Sequence, residues 1–458
     1  MGMAEGAGQV NKNRPNIVFV LIDDALPGVE TRMMPGLQNN VTSQGVKFSN
    51  TVSTLPLCGP GRATIQRGQY SHNTRIFGNS LPTGGWEKFQ QQGMHRSTFA
   101  TWINERGYAT GLFGKYLNNY RDRLIPPGWD RWYAWDGVNE GWQSVNDQGV
   151  HRDLDPPQAD ALVADNALRF INTRLANNSA FLAFVNFGAM HYPFHHAAID
   201  ADKFAGERVP RTVAFNEDDV SDKPSNIRGL PRLSNAEVRQ MDVDYRNGLR
   251  SLGRVDRFIR DASDLLRQHG EFNNTFFVFY TDNGNHFGQH RLSHGKLQPY
   301  EEDINFPLII SGPGIPGGAV RRELVGNHDI APTLAAMAGA TVPDFVDGRN
   351  VLPLARGTVP EGRWPRTAIL SITQPSGEGA NPKWALLRMP NKKYVRHTGG
   401  EEEYYDLGLD PFEVRSAHGS LEPEVVRHYN ARIDELLGCA GASCRQAENG
   451  PALPPPAP

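Results

Sequence analysis

Three stretches of this chain leave little choice of fold. Asn16-Ile17-Val18-Phe19-Val20-Leu21-Ile22, Phe181 to Phe187 and Thr275 to Tyr280 are nearly unbroken apolar runs, rich in β-branched and aromatic residues. A strand with one face in water alternates polar and apolar residues, so a strand without alternation is covered on both faces. Between the runs, Gln158 to Leu175 carries apolar residues at helical spacing. Ser234 offers an N-cap to a longer pattern through Tyr245, Leu249, Leu252, Val255, Ile259 and Leu266. Thr98 to Arg106 reads as a short helix, Tyr108 to Phe113 and Phe306 to Ile310 as strands, and His328 to Ala338 as a helix. Covered strands alternating with helices predict an α/β fold built on a largely parallel or mixed sheet.

With 458 residues the chain is long enough for one large domain and a smaller appendage. From Pro126 to Asp155 it is rich in Trp, Gly and Asp without a period, which predicts a long loop or lid packed by Trp129, Trp132 and Trp135. Residues 200–232 are polar and broken by proline, a surface excursion. Near 355–364 the composition turns to Gly, Pro and Arg. Short strand candidates follow at Ala368 to Ile372, Trp384 to Met389 and Lys393 to His397, then a helix from Pro423 to Leu437. The expected division is a disordered start over 1–14, a large domain over 15–355, a smaller C-terminal α+β subdomain over 365–445 and a disordered Pro-rich tail over 446–458.

Lys+Arg 47 against Asp+Glu 50 gives a net charge of −3, so bulk charge favours neither nucleic acid nor an anionic membrane surface as a partner. No apolar run approaches the ~20 residues that span a bilayer. Met1 to Asn13 lacks the charged and apolar regions of a secretory signal, which fits a secreted or periplasmic protein whose signal is removed or absent, and fits a cytoplasmic one equally. Of three cysteines, Cys439 and Cys444 are close enough in sequence for a small-loop disulfide or stand as two free thiols, while Cys58 has no obvious partner.

The ends of the apolar runs hold the chemistry. The first closes on Asp23-Asp24 and the third on Asp282-Asn283-Gly284, and in α/β sheets ligands sit beyond strand carboxyl ends. Each motif alone is an ordinary turn. Together they supply oxygen donors without nitrogen or sulfur, the set a hard divalent cation takes, and a cation offsets the repulsion between adjacent carboxylates. Cys58-Gly59-Pro60-Gly61-Arg62 opens a helix-compatible segment whose first N–H groups would make a place for an anion. Lys115 in Gly-Lys-Tyr-Leu-Asn, His191 in His-Tyr-Pro, and His286, His294 and Lys296 in the loop after Asn283 complete the candidates.

This C-x-P-x-R motif, in company with the two acidic strand ends and the Lys and His loops, resembles the sulfatase family, whose cysteine is oxidised to a formylglycine aldehyde. The resemblance runs from Pro15 to about Arg445. It implies an alkaline-phosphatase-like fold, a large mixed sheet sandwiched by helices, and cleavage of sulfate esters. It also implies that Cys58 becomes the formylglycine nucleophile and that Arg62 stabilises it. Asp23, Asp24, Asp282 and Asn283 would hold Ca2+, Lys115 and Lys296 the sulfate oxygens, and His191 the sulfate or leaving oxygen. His286 would join the substrate site, and His286 or His294 could serve as acid or base. A formylglycine-generating enzyme is the implied maturation partner. Gly-Lys-Tyr-Leu-Asn-Asn-Tyr, Pro-Pro-Gly-Trp-Asp-Arg-Trp-Tyr-Ala, Asp-Asn-Gly-x-His-x-Gly-Gln and the terminal Cys-x-x-x-x-Cys-Arg look most like the N-acetylglucosamine-6-sulfatase and heparan endosulfatase branch. That branch implies a sulfated small molecule or glycan, a 6-O-sulfated aminosugar above all, with Trp129, Trp132 and Trp135 either stacking on it or packing a core. Two positions depart from the pattern: Gly61 stands where many members carry Ser or Thr, and Leu117 where many carry His. The alternatives are a phosphonate monoester or phosphodiester hydrolase of the same superfamily, or a glycan-binding relative in which Cys58 is never oxidised.

Overall fold

The computed structural model describes residues 14–136, 144–373 and 383–451. In chain order, ten strands form one sheet: β1 (Asn16–Ile22), β2 (Gly45–Phe48), β3 (Ala109–Gly114), β4 (Arg131–Asp136), β5 (Ser144–Asp147), β6 (Val150–Asp153), β7 (Phe181–Asn186), β8 (Thr275–Thr281), β9 (Leu308–Ser311) and β10 (Ala319–Arg321). Their spatial order is β10-β2-β9-β8-β1-β7-β3-β4-β5-β6. The five central strands, β8-β1-β7-β3-β4, run parallel, while β9 joins β8, and β5 joins β4, antiparallel. The expected α/β class with a mixed sheet is what the chain forms.

The three apolar runs are β1, β7 and β8, the adjoining centre of this sheet. Ile17 to Ile22 are at most 1% exposed, which requires cover on both faces. Two groups of helices supply it. Residues Ala159–Ala176 pack with the 34-residue helix Asn235–Gln268, and a second group joins Cys58–Arg67, Phe99–Asn104 and Ile330–Met337. The long helix starts where Ser234 accepts from the Glu237 N–H and Glu237 reaches back to the Ser234 N–H, a capping box.

The described residues of 126–155 do not form the expected loop or lid. Their described part includes three more strands at one edge of the sheet, and Trp129, Trp132 and Trp135, at 8%, 0% and 4% exposure, belong to the main core. Trp132 Nε1 also donates to Tyr120 Oη at 3.0 Å. Of the two readings, core packing holds and stacking on a substrate does not. Pairing of Arg131–Asp136 with the buried strand β3, a tertiary contact, overrides the missing period.

The C-terminal part is a four-stranded antiparallel sheet over Ile369–Ile372, Trp384–Arg388, Lys392–His397 and Glu402–Asp406, followed by Pro423–Leu437. Cys439 and Cys444 form a disulfide. The expected tail start at 446 needs correction: Ala442–Glu448 is a helix, and the buried Glu448 accepts from Tyr70 Oη at 2.6 Å, Arg366 Nε at 2.9 Å and Arg349 Nε at 3.1 Å. Tyr70, Arg349 and His328, whose Nε2 is 2.9 Å away, hold this helix on the large domain, and Arg366 ties it to the C-terminal part. The disorder expected over 1–13 and from 452 lies outside the described residues.

Candidate active site

Four neighbouring parallel strands, β8, β1, β7 and β3, end on one edge and deliver Asp282, Asp23 with Asp24, Asn186 with His191, and Lys115. Adjacency in the sheet brings together side chains more than 250 residues apart in sequence. Asp24 sits at φ 54°, a left-handed conformation that Asp tolerates better than most residues.

Cys58 opens the ten-residue helix Cys58–Arg67, after Leu57 in extended conformation. The N–H of Gly59 is taken by Asn79 Oδ1 at 2.8 Å, and that of Gly61 returns to Leu57 O at 2.8 Å. Gly61 has a steric reason: a Cβ there would lie 2.4 Å from Asp282 O, so this helix meets the end of β8 backbone to backbone. Leu117, 3% exposed, is a member of the main core.

Cys58 Sγ lies 3.5 Å from Asp23 Oδ1, 3.8 Å from Asp24 Oδ1 and 2.9 Å from Lys296 Nζ. Lys115 Nζ contacts Asp23 Oδ2, and Lys296 Nζ contacts Asp24 Oδ1. His191 Nε2 is 3.7 Å from Asp24 Oδ2. Arg62, 2% exposed, ties the strand ends together: Nε donates to Asp282 Oδ2 at 2.8 Å, Nη1 to Lys115 O at 2.8 Å and to Asn186 Oδ1 at 3.2 Å, and Nη2 stands 3.7 Å from Asp23 Oδ2. Asn283 Nδ2 donates to Asp24 Oδ1 at 2.7 Å.

Cations decide the ionisation here. Burial opposes charge on Asp24, but Lys296 and His191 outweigh it and hold the carboxyl at about 2. Burial likewise opposes charge on Asp23, and Lys115 with His191 and Arg62 keeps it below the usual carboxylate range. The Cys58 thiol goes the other way. Burial, with Asp23 and Asp24 nearby, pushes it far above its ordinary value despite Lys115 and Lys296, so the sulfur is protonated at neutral pH and is a poor nucleophile as cysteine.

The donor set fits a hard divalent cation. Asp23, Asp24 and Asp282 present carboxylates close together, and the buried Asn283 Oδ1 has no hydrogen-bond partner. Asp23, Asp24, Cys58 and His191 also place one ligand atom each within 4.8 Å of the others. His286 stands outside this cluster: its Nδ1 bonds Asp303 Oδ1 at 2.8 Å, and its backbone pairs with Gly295, supporting the loop that carries Lys296. Two contributors were not singled out from sequence. Asn186 carries the same strand-end signal as Asp23, and Asp160 gave none; its Oδ1 accepts from the Gly188 N–H at 2.9 Å and steadies the His191 loop.

A family model described as Sulfatase matches residues 15–340, and one described as the C-terminal region of N-sulphoglucosamine sulphohydrolase matches residues 288–437. The chain is 29% identical over 375 residues to the extracellular sulfatase SULF-1 homolog of Drosophila melanogaster, covering 80% of this chain and 33% of that one, so it spans about a third of that relative's length. It is 27% identical over 500 residues to the N-acetylglucosamine-6-sulfatase of Capra hircus, covering 97% of this chain and 86% of that protein. A structure solved in complex with its substrate D-glucosamine-2-N,6-O-disulfate superimposes with a TM-score of 0.76 at 21% identity, over 95% of this chain and 99% of that one, which is a likeness of fold. With the family model spanning the sheet, the Cys58 helix and every strand end of the site, the chain belongs to the sulfatase family.

Proposed function

We propose that this protein hydrolyses sulfate esters, those of a 6-O-sulfated aminosugar or glycan, with Cys58 converted to formylglycine and Ca2+ held by Asp23, Asp24, Asp282 and Asn283. The observation that carries the reading is the setting of Cys58, at the head of a buried helix, 3.5 Å from Asp23 and 2.9 Å from Lys296. Residue 58 would carry the formylglycine hydrate, whose two hydroxyls would supply a nucleophile for sulfur and a route for release of sulfate as the aldehyde reforms, and Asp23, Asp24, Asp282 and Asn283 would hold a cation that would offset the charge of the sulfate oxygens. The chain's own residues do the rest. Lys115, just past the end of β3, and Lys296, in the loop that follows β8, bind the equatorial oxygens. Arg62 fixes Asp282 and Asp23, and so the spacing between helix and sheet. His191, 3.7 Å from Asp24 with its side chain 15% exposed, holds the leaving oxygen and gives it a proton.

The Cys439–Cys444 disulfide and the extracellular relative support an oxidising, secreted or periplasmic setting. Among the described residues no helix is long and apolar enough to cross a membrane. Conversion of Cys58 calls for a formylglycine-generating enzyme as partner.

The test is turnover by protein co-expressed with that enzyme, on glucosamine 6-sulfate, an aryl sulfate, and matched phosphate and phosphonate esters. The reading predicts sulfate ester hydrolysis that falls by about 10² to 10³ in Lys296→Met. Preferred turnover of the phosphorus esters would move the chain to the phosphonate or phosphodiester alternative, and binding of the sugar without turnover to the glycan-binding one.

A further inference from the structure

With the three tryptophans buried in the core, the part of the site that would meet a sugar ring has to be found elsewhere. Among the described residues, Tyr192 and Phe412 are the most exposed of the Phe, Tyr and Trp side chains, at 52% and 39%. Phe412 follows the last strand of the C-terminal sheet. Tyr192 follows His191 directly. An exposed tyrosine face is apolar surface left in water, and tyrosine gives such contact area at little entropic cost because two torsions fix it.

Tyr192 is also braced. Its ring meets Phe194 edge to face, with centroids 5.7 Å apart at 88°. Phe194, 3% exposed, lies 5.5 Å from the His294 ring and 6.5 Å from Phe287, and Phe287, fully buried, lies 4.3 Å from His294. Behind them Tyr245 of the helix Asn235–Gln268 closes on Phe287 at 5.9 Å, and a Cβ on Gly248 of the same helix would touch Met190 and Phe194. Asn285 Nδ2 meets His294 Nε2 at 3.0 Å. Burial pushes His294 down to about 4, so at neutral pH it is an uncharged ring. The row therefore runs without a break from the loop carrying His191 to the loop carrying Lys296, and both of those side chains reach Asp24.

We infer that Tyr192 and His294, on the base of Phe194 and Phe287, form an aromatic wall that takes the C–H face of the substrate's pyranose ring. The inference rests on the sulfatase reading above, because it is the sulfate, held between Lys115 and Lys296, that places the ring one methylene away from the reacting centre and against Tyr192. Such a wall selects cyclic sugar sulfates over inorganic sulfate and open-chain alkyl sulfates.

The test is binding, measured on protein whose Cys58 is unconverted, so that turnover plays no part. Ligand-observed NMR titration with glucosamine 6-sulfate and with inorganic sulfate, in calcium buffer, compares wild type with Tyr192→Ala and Tyr192→Phe. The expected result is tighter binding of the sugar ester than of inorganic sulfate in wild type. Tyr192→Ala should weaken the sugar ester about three- to tenfold and leave inorganic sulfate unchanged, and Tyr192→Phe, which keeps the ring, should leave both within about twofold. Equal affinities for the two ligands in wild type, equal weakening of both in Tyr192→Ala, or a Tyr192→Phe variant as weak as Tyr192→Ala would each overturn the wall while leaving the sulfate site standing. Failure of inorganic sulfate and sugar ester alike to bind wild type would overturn the sulfatase reading and the wall with it.

Discussion

Arg62 Nε donates to Asp282 Oδ2 over 2.8 Å, and through that bond the helix carrying Cys58 is tied to the end of β8, 220 residues along the chain. Its other nitrogens reach Lys115 O, Asn186 Oδ1 and Asp23 Oδ2. Removing one partner from such a buried set leaves charges without compensation. Arg62→Ala should lose about 3–5 kcal/mol of stability in chemical denaturation. Arg62→Lys, which keeps the charge without the planar fork, should lose less. A stability change under 1 kcal/mol in Arg62→Ala would mean that Arg62 acts on ligands alone.

Calcium should stabilise the fold by mass action. Free Ca2+ at a hundredfold its Kd adds about 2.7 kcal/mol, read as a rise in melting temperature that a chelator reverses. Asp282→Ala and Asn283→Ala should each abolish the calcium-dependent rise. An equal rise in wild type and both variants would place the ion elsewhere.

Asp160 gives a pH dependence of known sign. Burial, against the pull of the Gly188 N–H, raises its carboxyl to about 7 from an ordinary value of 3.8. The folded state therefore binds its proton more tightly than the unfolded chain, and this contribution to stability is full below about pH 4 and lost as pH rises through about 7. Asp160→Asn should flatten that segment of the stability profile and make the variant the relatively more stable form at pH 8. Thermal melts from pH 4 to 8 on both proteins check it, and an unchanged difference across the range would exclude Asp160 as the source.

At the far end of the chain, Glu448→Ala should be among the costlier single changes. It leaves Arg366, fully buried and also paired with Asp329, short of one carboxylate and takes partners from His328 and Tyr70, a loss of about 3–5 kcal/mol. Truncation after Arg445 should destabilise the chain as strongly. Wild-type stability after that truncation would restore the tail boundary expected from composition.

How far the sequence reads depends on what kind of signal each part leaves. β1, β7 and β8 were legible because burial on both faces forbids alternation, and the residues just past them, Asp23, Asp24, Asp282 and Asn283, were legible as the place where such a sheet binds ligands. The convergence of Cys58, Lys115, His191 and Lys296 on those ends was carried by family resemblance, since a single lysine or histidine in a loop has no pattern of its own. Arg131–Asp136 was misread as part of a lid because its strand character comes from pairing with β3 rather than from its own period. Asp160 and Glu448 were invisible for a related reason: a buried carboxylate and a solvated one look alike until the partners, Gly188 in one case and Arg366 in the other, are seen beside them. The burial of Trp132 and Trp135 depends on the pairing of β4 with β3, and the exposure of Tyr192 on the path of its loop, neither of which spacing encodes.

The central claim is that Cys58 is a precursor and not the reacting group, a reading supported by the burial and the neighbouring carboxylates that push its thiol upward. Peptide mass spectrometry of the segment around Cys58, after co-expression with a formylglycine-generating enzyme, measures this directly. The account predicts a loss of ~18 Da at Cys58, the change from thiol to aldehyde, in the same preparation that hydrolyses sulfate esters. An unshifted thiol at Cys58 in protein that still turns over sulfate esters would contradict it.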